Sequence, residues 1–188
     1  MAGAALGAAV CLHFALEHPD RTRCLILSSP APGGAKGAAL ERMQSWIDAV
    51  SSHGMRSISE AMFAVTHPLA LRADHRRFER HRLRWLTHDP ESFVALIGMT
   101  MNFDLIESLP SISVPTLVIG CNQDTVRPAS RSAELAAMIP GSTYVEAPSG
   151  HYMTLQHPAL FAGHLLDFLS RSEVGHARNP LAPSDPRG

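Results

Sequence analysis

The spacing of hydrophobic positions changes along this chain, and the changes predict where helices and strands lie. Residues 6–17 are rich in alanine and apolar on nearly every face, which is typical of a helix packed against a sheet. Residues 24–28 (CLILS) form a short continuous apolar run, as buried parallel strands do. His18-Pro19-Asp20 separates the two segments, because the residue before a proline avoids the helical region.

Helical spacing then continues from Lys36 to about Leu109 without a convincing strand. Four helices are predicted in that segment: 39–50, 58–65, 74–86 and 90–101. After it the chain again alternates between the two kinds of element: strand 114–120, helix 130–138, strand 143–147 and helix 158–169. The segment after Ser170 contains several prolines and shows no periodicity, so we expect it to be disordered.

This alternation with a helical insertion predicts an α/β fold, in which a parallel sheet is flanked by helices and carries a helical lid. We expect the strands near residues 24–28, 116–119 and 143–147 to be neighbours in that sheet. The predicted division is 1–30 for the first helix and strand of the core, 31–110 for the lid, 111–170 for the rest of the core and 171–188 for a disordered tail.

Composition limits the classes of function that this chain can have. Its 188 residues, 45% hydrophobic and 18% charged, are typical of one globular domain with a buried core. The net charge of −1 favours neither nucleic acid nor an anionic membrane as a partner. The apolar residues at the start of the chain lack the basic segment and the cleavage site that are typical of a signal peptide. Cys11, Cys24 and Cys121 are odd in number and lack metal-like spacing, so we expect a cytoplasmic protein with no metal or cofactor.

Candidate chemistry lies where strands end, because parallel sheets place their sites at the carboxyl ends of strands. The chain opens on a glycine-flanked turn, Gly3-Ala4-Ala5-Leu6-Gly7, before its first helix, and we expect this strained turn to tolerate no side chain at either flanking glycine. Asp124 follows the strand that ends near Ile119, and His151 follows the strand that ends at Ala147. The turn, the acid and the histidine therefore arrive in the chain order nucleophile, acid, histidine.

From residue 3 to residue 169 the chain resembles the α/β-hydrolases, most specifically in the stretches EHPDR, VPTLVIGCNQDTVRP and IPGSTYVEAPSGHYMTLQHP. The resemblance implies that Asp124 is the acid and His151 the base of a catalytic triad. It also implies that the backbone N–H of Leu6 is one oxyanion donor and that the lid shapes a pocket for a small-molecule substrate. Within the family the chain is most similar to aminoacrylate or carbamate hydrolases and to enol-lactone hydrolases.

Two features depart from the family pattern. Ala5 stands where the motif Gly-x-Ser-x-Gly has its nucleophile; Ser28 and Ser29 follow another strand, and Cys11 lies about two turns further along the helix. The strands that precede this turn in the fold, and the loop that gives the second oxyanion donor, have no counterpart in the sequence. We therefore expect a fragment or a misplaced start codon, with an uncovered sheet edge or face through which the chain self-associates. A short pseudoenzyme is the alternative.

Alanine at residue 5 leaves a hydrolytic mechanism open, because the aminoacrylate hydrolases that this chain resembles can carry an Ala-Leu-Gly turn. In such a site His151 activates water directly while Asp124 orients it, which suits a small activated ester, lactone or carbamate. Two other classes remain: a catalytically inactive relative that acts as a binding or structural protein, and a cofactor-free oxygenase in which the His-Asp pair deprotonates the substrate.

Each candidate residue also has a purely structural interpretation. Asp124 alternatively caps a turn, and His151 alternatively bonds to a carbonyl in its loop. The ten other histidines are predicted to be surface or packing residues. The basic segment 72–82 is typical of a solvated helix face, with attraction of an anionic substrate as the alternative, and the set Met99, Met101 and Phe103 fits the lid core as well as a pocket.

Overall fold

A computed structural model describes residues 1–171, so the predicted disordered tail lies outside the described residues except for Arg171. Four strands are found there: β1 Ala2–Ala4, β2 Leu25–Ser28, β3 Thr116–Cys121 and β4 Thr143–Ala147. The α-helices are α1 Leu6–Glu17, α2 Ala38–His53, α3 Ser59–Thr66, α4 His75–Leu86, α5 Pro90–Asn102, α6 Ala129–Met138, α7 Met153–Gln156 and α8 Pro158–Arg171. Short 3₁₀ helices lie at Pro19–Arg21, Met55–Ile58, Leu69–Leu71 and Ile106–Ser111.

The four strands form one parallel sheet in the order β1-β2-β3-β4. Ser28 of β2 lies opposite Ala4 of β1 and Ile119 of β3, and Ala147 of β4 lies opposite Cys121. The carboxyl ends of all four strands therefore lie along one edge of the sheet. The predicted parallel sheet and the predicted adjacency of β2, β3 and β4 are confirmed.

Helices cover the two faces of this sheet, and the alternation of side chains along β2 explains its continuous apolar run. Leu25 and Leu27 pack with Leu12 of α1 and Leu135 of α6. Ile26, between them, belongs to a second cluster that α8 closes from the other side. Because β2 is buried on both faces, it carries no polar position until Ser28.

The helices α2–α5, called the lid helices below, pack around Phe63. The Phe63 ring meets the rings of Trp85 and Phe78 edge to face, with centroids 5.3 and 5.5 Å apart, a geometry that aromatic pairs favour. Asp74 and Asp89 cap α4 and α5 by accepting hydrogen bonds from backbone N–H groups in the first turn. Within the described chain, the only β pairing around this segment is a single antiparallel bridge between Gly33 and Asp104.

The helices and strands predicted from the sequence match those of the structure apart from their end residues. The pattern missed three kinds of element: the short strand β1 directly before the turn at Ala5, the single turn α7 just after His151, and the 3₁₀ helices. Although α1 is apolar on nearly every face, its Val10 is 54% exposed. Cys11, Cys24 and Cys121 are buried free thiols. None of the helices within residues 1–171 is both long and apolar enough to cross a membrane.

Candidate active site

Ala5 lies in the sharp turn between β1 and α1, with a φ of 49° and a ψ of −117°. Residues with a side chain rarely adopt positive φ, so this conformation is strained and the surrounding structure must hold it. The Ala5 N–H donates to the carbonyl oxygen of Ser28 at 3.0 Å, which ties the turn to β2. Its own carbonyl accepts hydrogen bonds from Ala8 and Ala9 and so starts α1.

The two glycines that flank this turn have different roles. A Cβ atom on Gly3 would overlap the carbonyl group of Gly7 and lie 2.7 Å from the backbone nitrogen of Ala8. A Cβ atom on Gly7 would meet no atom within 4 Å among the described residues. The expectation that the turn tolerates no side chain at either position therefore holds for Gly3 and is wrong for Gly7.

Asp124 and His151 follow β3 and β4, and the structure brings their side chains together. His151 Nδ1 donates a hydrogen bond to Asp124 Oδ2 at 2.9 Å. Asp124 Oδ1 accepts two more, from the backbone N–H groups of Val126 and Arg127, each at 2.8 Å. Asp124 thus caps its turn and binds His151 at the same time, so its two interpretations are compatible. Among the described residues, His151 bonds to this carboxylate and to no carbonyl.

The surroundings of Asp124 favour its ionised form. Burial raises the pKa of this carboxyl group, but the hydrogen bond to His151, the charge of His151 and the backbone N–H of Arg127 outweigh burial. The pKa of Asp124 therefore lies below its ordinary value. An ionised Asp124 holds the proton of His151 on Nδ1, which leaves the lone pair of the neutral imidazole on Nε2.

A cavity of about 360 Å³ connects the turn with the histidine, because Ala5, Leu6 and His151 all line it. Its walls are mostly apolar side chains of the lid helices, including Met43, Trp46, Met62, Trp85, Phe93, Leu96 and Ile97. No serine or cysteine is among the described residues that line it. Ser28 is fully buried in the sheet, and Cys11 packs in the core beneath α1, where burial raises the pKa of its thiol.

Leu6 is the first residue of α1, so its N–H has no acceptor within the helix. Because Leu6 also lines the cavity, this N–H is a donor at the positive end of the helix dipole. Among residues 1–171, no group of three or more histidine, cysteine, aspartate or glutamate side chains is arranged to hold a metal ion.

The family described as serine aminopeptidase, S33 matches residues 1–148, most of this chain. The chain belongs to this family of α/β-hydrolases. It is 30% identical over 177 residues to the RutD protein of Variovorax paradoxus (strain S110), provisionally named a carbamate hydrolase. That match covers 91% of this chain and 65% of the relative, so the chain spans about two thirds of the relative's length.

Solved structures agree with this α/β-hydrolase fold. A hydrolase from Pseudomonas aeruginosa PA01 is 28% identical with a TM-score of 0.81, over 89% of this chain and 63% of that one. The enol-lactonase from Burkholderia xenovorans LB400 has a TM-score of 0.84 over 90% of this chain and 64% of that one, at 22% identity. The fold predicted from the sequence is confirmed.

Four basic residues of the cavity were not predicted from the sequence of this hydrolase-family chain: Arg42, His81, His88 and Arg127. His88 is exposed and His81 packs among aromatic rings, as expected of surface and packing residues, and both also line the cavity. His81 lies beside the ring of His67, with centroids 4.8 Å apart, and burial lowers its pKa, as do the positive charges of His88 and Arg84. A signal was present for His81, because it lies one helical turn before the apolar Trp85 on the same face of α4, whereas His88 follows the end of that helix.

The basic segment 72–82 does not supply the cavity with arginines. Arg72 donates to the carbonyl oxygens of His67 and Phe63 at 2.6 and 3.0 Å, and Arg77 donates to that of Gln156 at 2.9 Å. The Arg72 contacts hold the loop before α4 against the end of α3, and the Arg77 contact joins α4 to α7. Attraction of an anionic substrate by this segment stays a prediction. Of the three apolar candidates in α5 and just after it, Phe103 lines the cavity, and Met99 and Met101 do not.

Proposed function

We propose that this chain hydrolyses a small activated ester, lactone or carbamate, with His151 and Asp124 activating a water molecule in place of a serine hydroxyl. One observation carries the proposal: the 2.9 Å hydrogen bond orients His151 in the same cavity that Ala5 lines. A base with a fixed ring and a free Nε2 lone pair is what general-base activation of water requires.

The reaction takes place in two steps with no covalent bond to the protein. In the first step His151 Nε2 accepts a proton from water while the water oxygen attacks the carbonyl carbon of the substrate. The Asp124 carboxylate stabilises the resulting imidazolium, and the Leu6 N–H donates to the oxyanion. In the second step the carbon–heteroatom bond breaks and the leaving group takes the proton from His151.

The methyl group of Ala5 restricts the substrates that this route can process. It keeps the strained turn but provides no hydroxyl, so no acyl-enzyme divides the reaction into two easier displacements. Water must attack the substrate directly, and the substrate must therefore already be reactive. An activated ester, a strained lactone or a carbamate meets this condition, whereas an unactivated amide does not.

The relatives support the same chemical class. RutD carries a provisional carbamate hydrolase name at 30% identity, and a protein of Vibrio atlanticus (strain LGP32), 27% identical over 180 residues, is named a pimeloyl-[acyl-carrier protein] methyl ester esterase. Both names refer to carbonyl substrates cleaved by water. This chain spans 65% and 69% of these two relatives, so their activities enter here as part of the proposal.

The test compares turnover of p-nitrophenyl acetate by the unaltered protein, His151→Ala and His53→Ala. Free imidazole itself cleaves this ester, so the exposed His53 provides the matched control for solvent-accessible histidines. We expect His151→Ala to lower kcat about 10²-fold to 10⁴-fold and His53→Ala to leave it unchanged.

Three outcomes contradict the proposal. Equal turnover by His151→Ala and the unaltered protein would exclude His151 as the base. Oxygen consumption coupled to turnover, followed with an oxygen electrode, would favour the oxygenase. Ligand binding without any turnover would favour the inactive binding protein.

A further inference from the structure

The cavity next to His151 carries a one-sided charge. Two arginines line it, Arg42 from α2 and Arg127 from the turn after β3. No aspartate or glutamate is among the described residues that line it. Asp124 lies behind His151, outside this lining, and its oxygens are occupied by His151 and two backbone N–H groups. No carboxylate among the described lining residues therefore balances the positive charge of the cavity.

The side chain of Arg42 has a hydrogen-bond donor that lacks an acceptor. Its Nε atom is buried and has no hydrogen-bond partner among the described residues. Its guanidinium lies 5.5 Å from the centroid of the Trp46 ring, a distance at which a cation is attracted by an aromatic face. That contact positions the planar group but accepts no hydrogen bond from Nε. A buried N–H without an acceptor is costly unless a ligand supplies one.

Arg127 adds positive charge from the other side of the site. Burial lowers the pKa of this guanidinium and Arg131 lowers it further, while the charge of Asp124 opposes both. No ion pair joins Arg127 to Asp124 among the salt bridges of residues 1–171. Both arginines thus favour a ligand that brings negative charge into the cavity.

We propose that the cavity binds ligands with an apolar body and a carboxylate, and that Arg42 is the residue that binds the carboxylate. A carboxylate has two coplanar oxygens that match the forked N–H donors of a guanidinium. The aromatic side chains of Trp46, Trp85 and Phe93 surround the remaining space and suit an apolar body. The inference rests on the proposed function for one step only, that the ligand is a substrate with a second, hydrolysable group near His151.

Binding of 4-phenylbutyrate and 4-phenylbutyramide tests the inference directly. The two compounds share one shape and differ in charge, and neither contains an ester, so turnover does not enter the measurement. Both tryptophans of the chain line the cavity, and their fluorescence reports occupancy beside calorimetry. We expect the acid to bind roughly 10-fold to 100-fold more tightly than the amide, and added salt to reduce the difference.

Variants test whether Arg42 causes the preference for the acid over the amide. Arg42→Gln removes the charge and should abolish the preference for the acid, whereas Arg42→Lys should keep part of it. Arg80→Gln removes the same charge from an exposed position of α4 outside the cavity lining and should leave the preference intact. Circular dichroism checks that each variant folds, and the acid–amide comparison on the unaltered protein needs no variant.

The outcomes separate this inference from the proposed function. Equal binding of acid and amide, no binding of the acid at millimolar concentration, or an undiminished preference in Arg42→Gln would overturn the anion site. His151→Ala should lose turnover and still prefer the acid. If instead His151→Ala keeps its turnover while the preference for the acid persists, the hydrolytic mechanism fails and the anion site stands.

Discussion

His151 Nδ1 lies 2.9 Å from Asp124 Oδ2, and this contact joins the residues that follow two neighbouring strands. The Asp124 side chain is fully buried, and its second oxygen accepts two backbone N–H groups, so the carboxylate cannot rotate away. Most of the His151 side chain is buried too, and the rest lines the cavity beside Ala5. The histidine is therefore oriented even though the facing turn carries no hydroxyl.

Replacing Asp124 by asparagine tests what this contact does. The introduced side-chain amide would donate to His151 Nδ1, which puts the imidazole proton on Nε2 and removes the lone pair from the cavity. We expect Asp124→Asn to lower kcat for p-nitrophenyl acetate by about 10²-fold to 10⁴-fold with little change in KM. Asp20→Asn, at an exposed position, is the control. A KM effect alone would show that Asp124 shapes the cavity without orienting the base.

The two glycines of the turn provide a matched pair for stability. Gly3→Ala places a methyl group against the backbone of Gly7 and should lower the free energy of unfolding by about 1–3 kcal/mol. Gly7→Ala meets open space in the first turn of α1 and should raise it by up to about 1 kcal/mol, because alanine favours helix. Urea unfolding of both variants measures the difference. Equal destabilisation would mean that Gly7 also contacts backbone.

The lowered pKa of His67 leads us to predict how the free energy of unfolding depends on pH. Burial, together with the positive charges of His81, Arg72 and His151, lowers its pKa from 6.5 to about 4. Between these values the unfolded chain binds a proton that the folded chain does not. The contribution of His67 is therefore complete above about pH 6.5 and is lost as the pH falls toward 4, by up to about 3 kcal/mol.

The variant His67→Phe checks this pH dependence because phenylalanine does not titrate. We expect the free energy of unfolding of the unaltered protein to fall more steeply between about pH 7 and about pH 5 than that of His67→Phe. His53→Gln changes an exposed histidine and should keep the steep fall. Parallel curves for the unaltered protein and His67→Phe would assign the acid sensitivity to other groups.

A helix or strand could be predicted from the sequence where the residues next to each other along the chain show which of its faces are buried. The run at 24–28 predicts a strand because Leu25 and Leu27 face one helical layer and Ile26 the other, which requires apolar residues on both sides. The pairing of Asp124 with His151 follows from topology, since both come directly after strands that end at one edge.

Features that depend on contacts distant in sequence could not be predicted. Arg42 lies in the cavity because α2 lines it together with residues that follow β3 and β4, far away in the sequence. From the sequence alone, a lone arginine in a polar helix looks solvated. The cavity position of His81 was missed because arginines dominate the sequence of α4 around it, and that of His88 because it lies in the turn after α4. The single turn α7 is too short to show periodicity. Gly7 looked equivalent to Gly3 because sequence spacing does not show which glycine meets backbone.

The exposed side chain of Val10 leads us to predict that copies of this chain associate with one another. Val10 lies on α1, which packs beside β1, and 54% of its surface is exposed. Among residues 1–171, β1 pairs with β2 alone, so its other edge keeps unpaired backbone groups. We expect concentration-dependent association in sedimentation velocity, weaker in Val10→Gln than in the control Leu83→Gln. A monomer at every concentration would contradict this.

A fluorophosphonate probe tests the absence of a nucleophile in the cavity. Such probes label serines that a neighbouring base activates, and Ala5 has no oxygen to react. Ser28 is buried in β2 and, among the described residues, no serine lines the cavity with His151. We therefore expect no labelling and no burst phase in the turnover of an activated ester.

Ala5→Ser tests the geometry of the turn, because a serine at φ 49° would face the same cavity. We expect the probe to label that variant in a chain that also supplies a second oxyanion donor. Labelling of the unaltered chain at a serine near His151 would show that the nucleophile lies elsewhere.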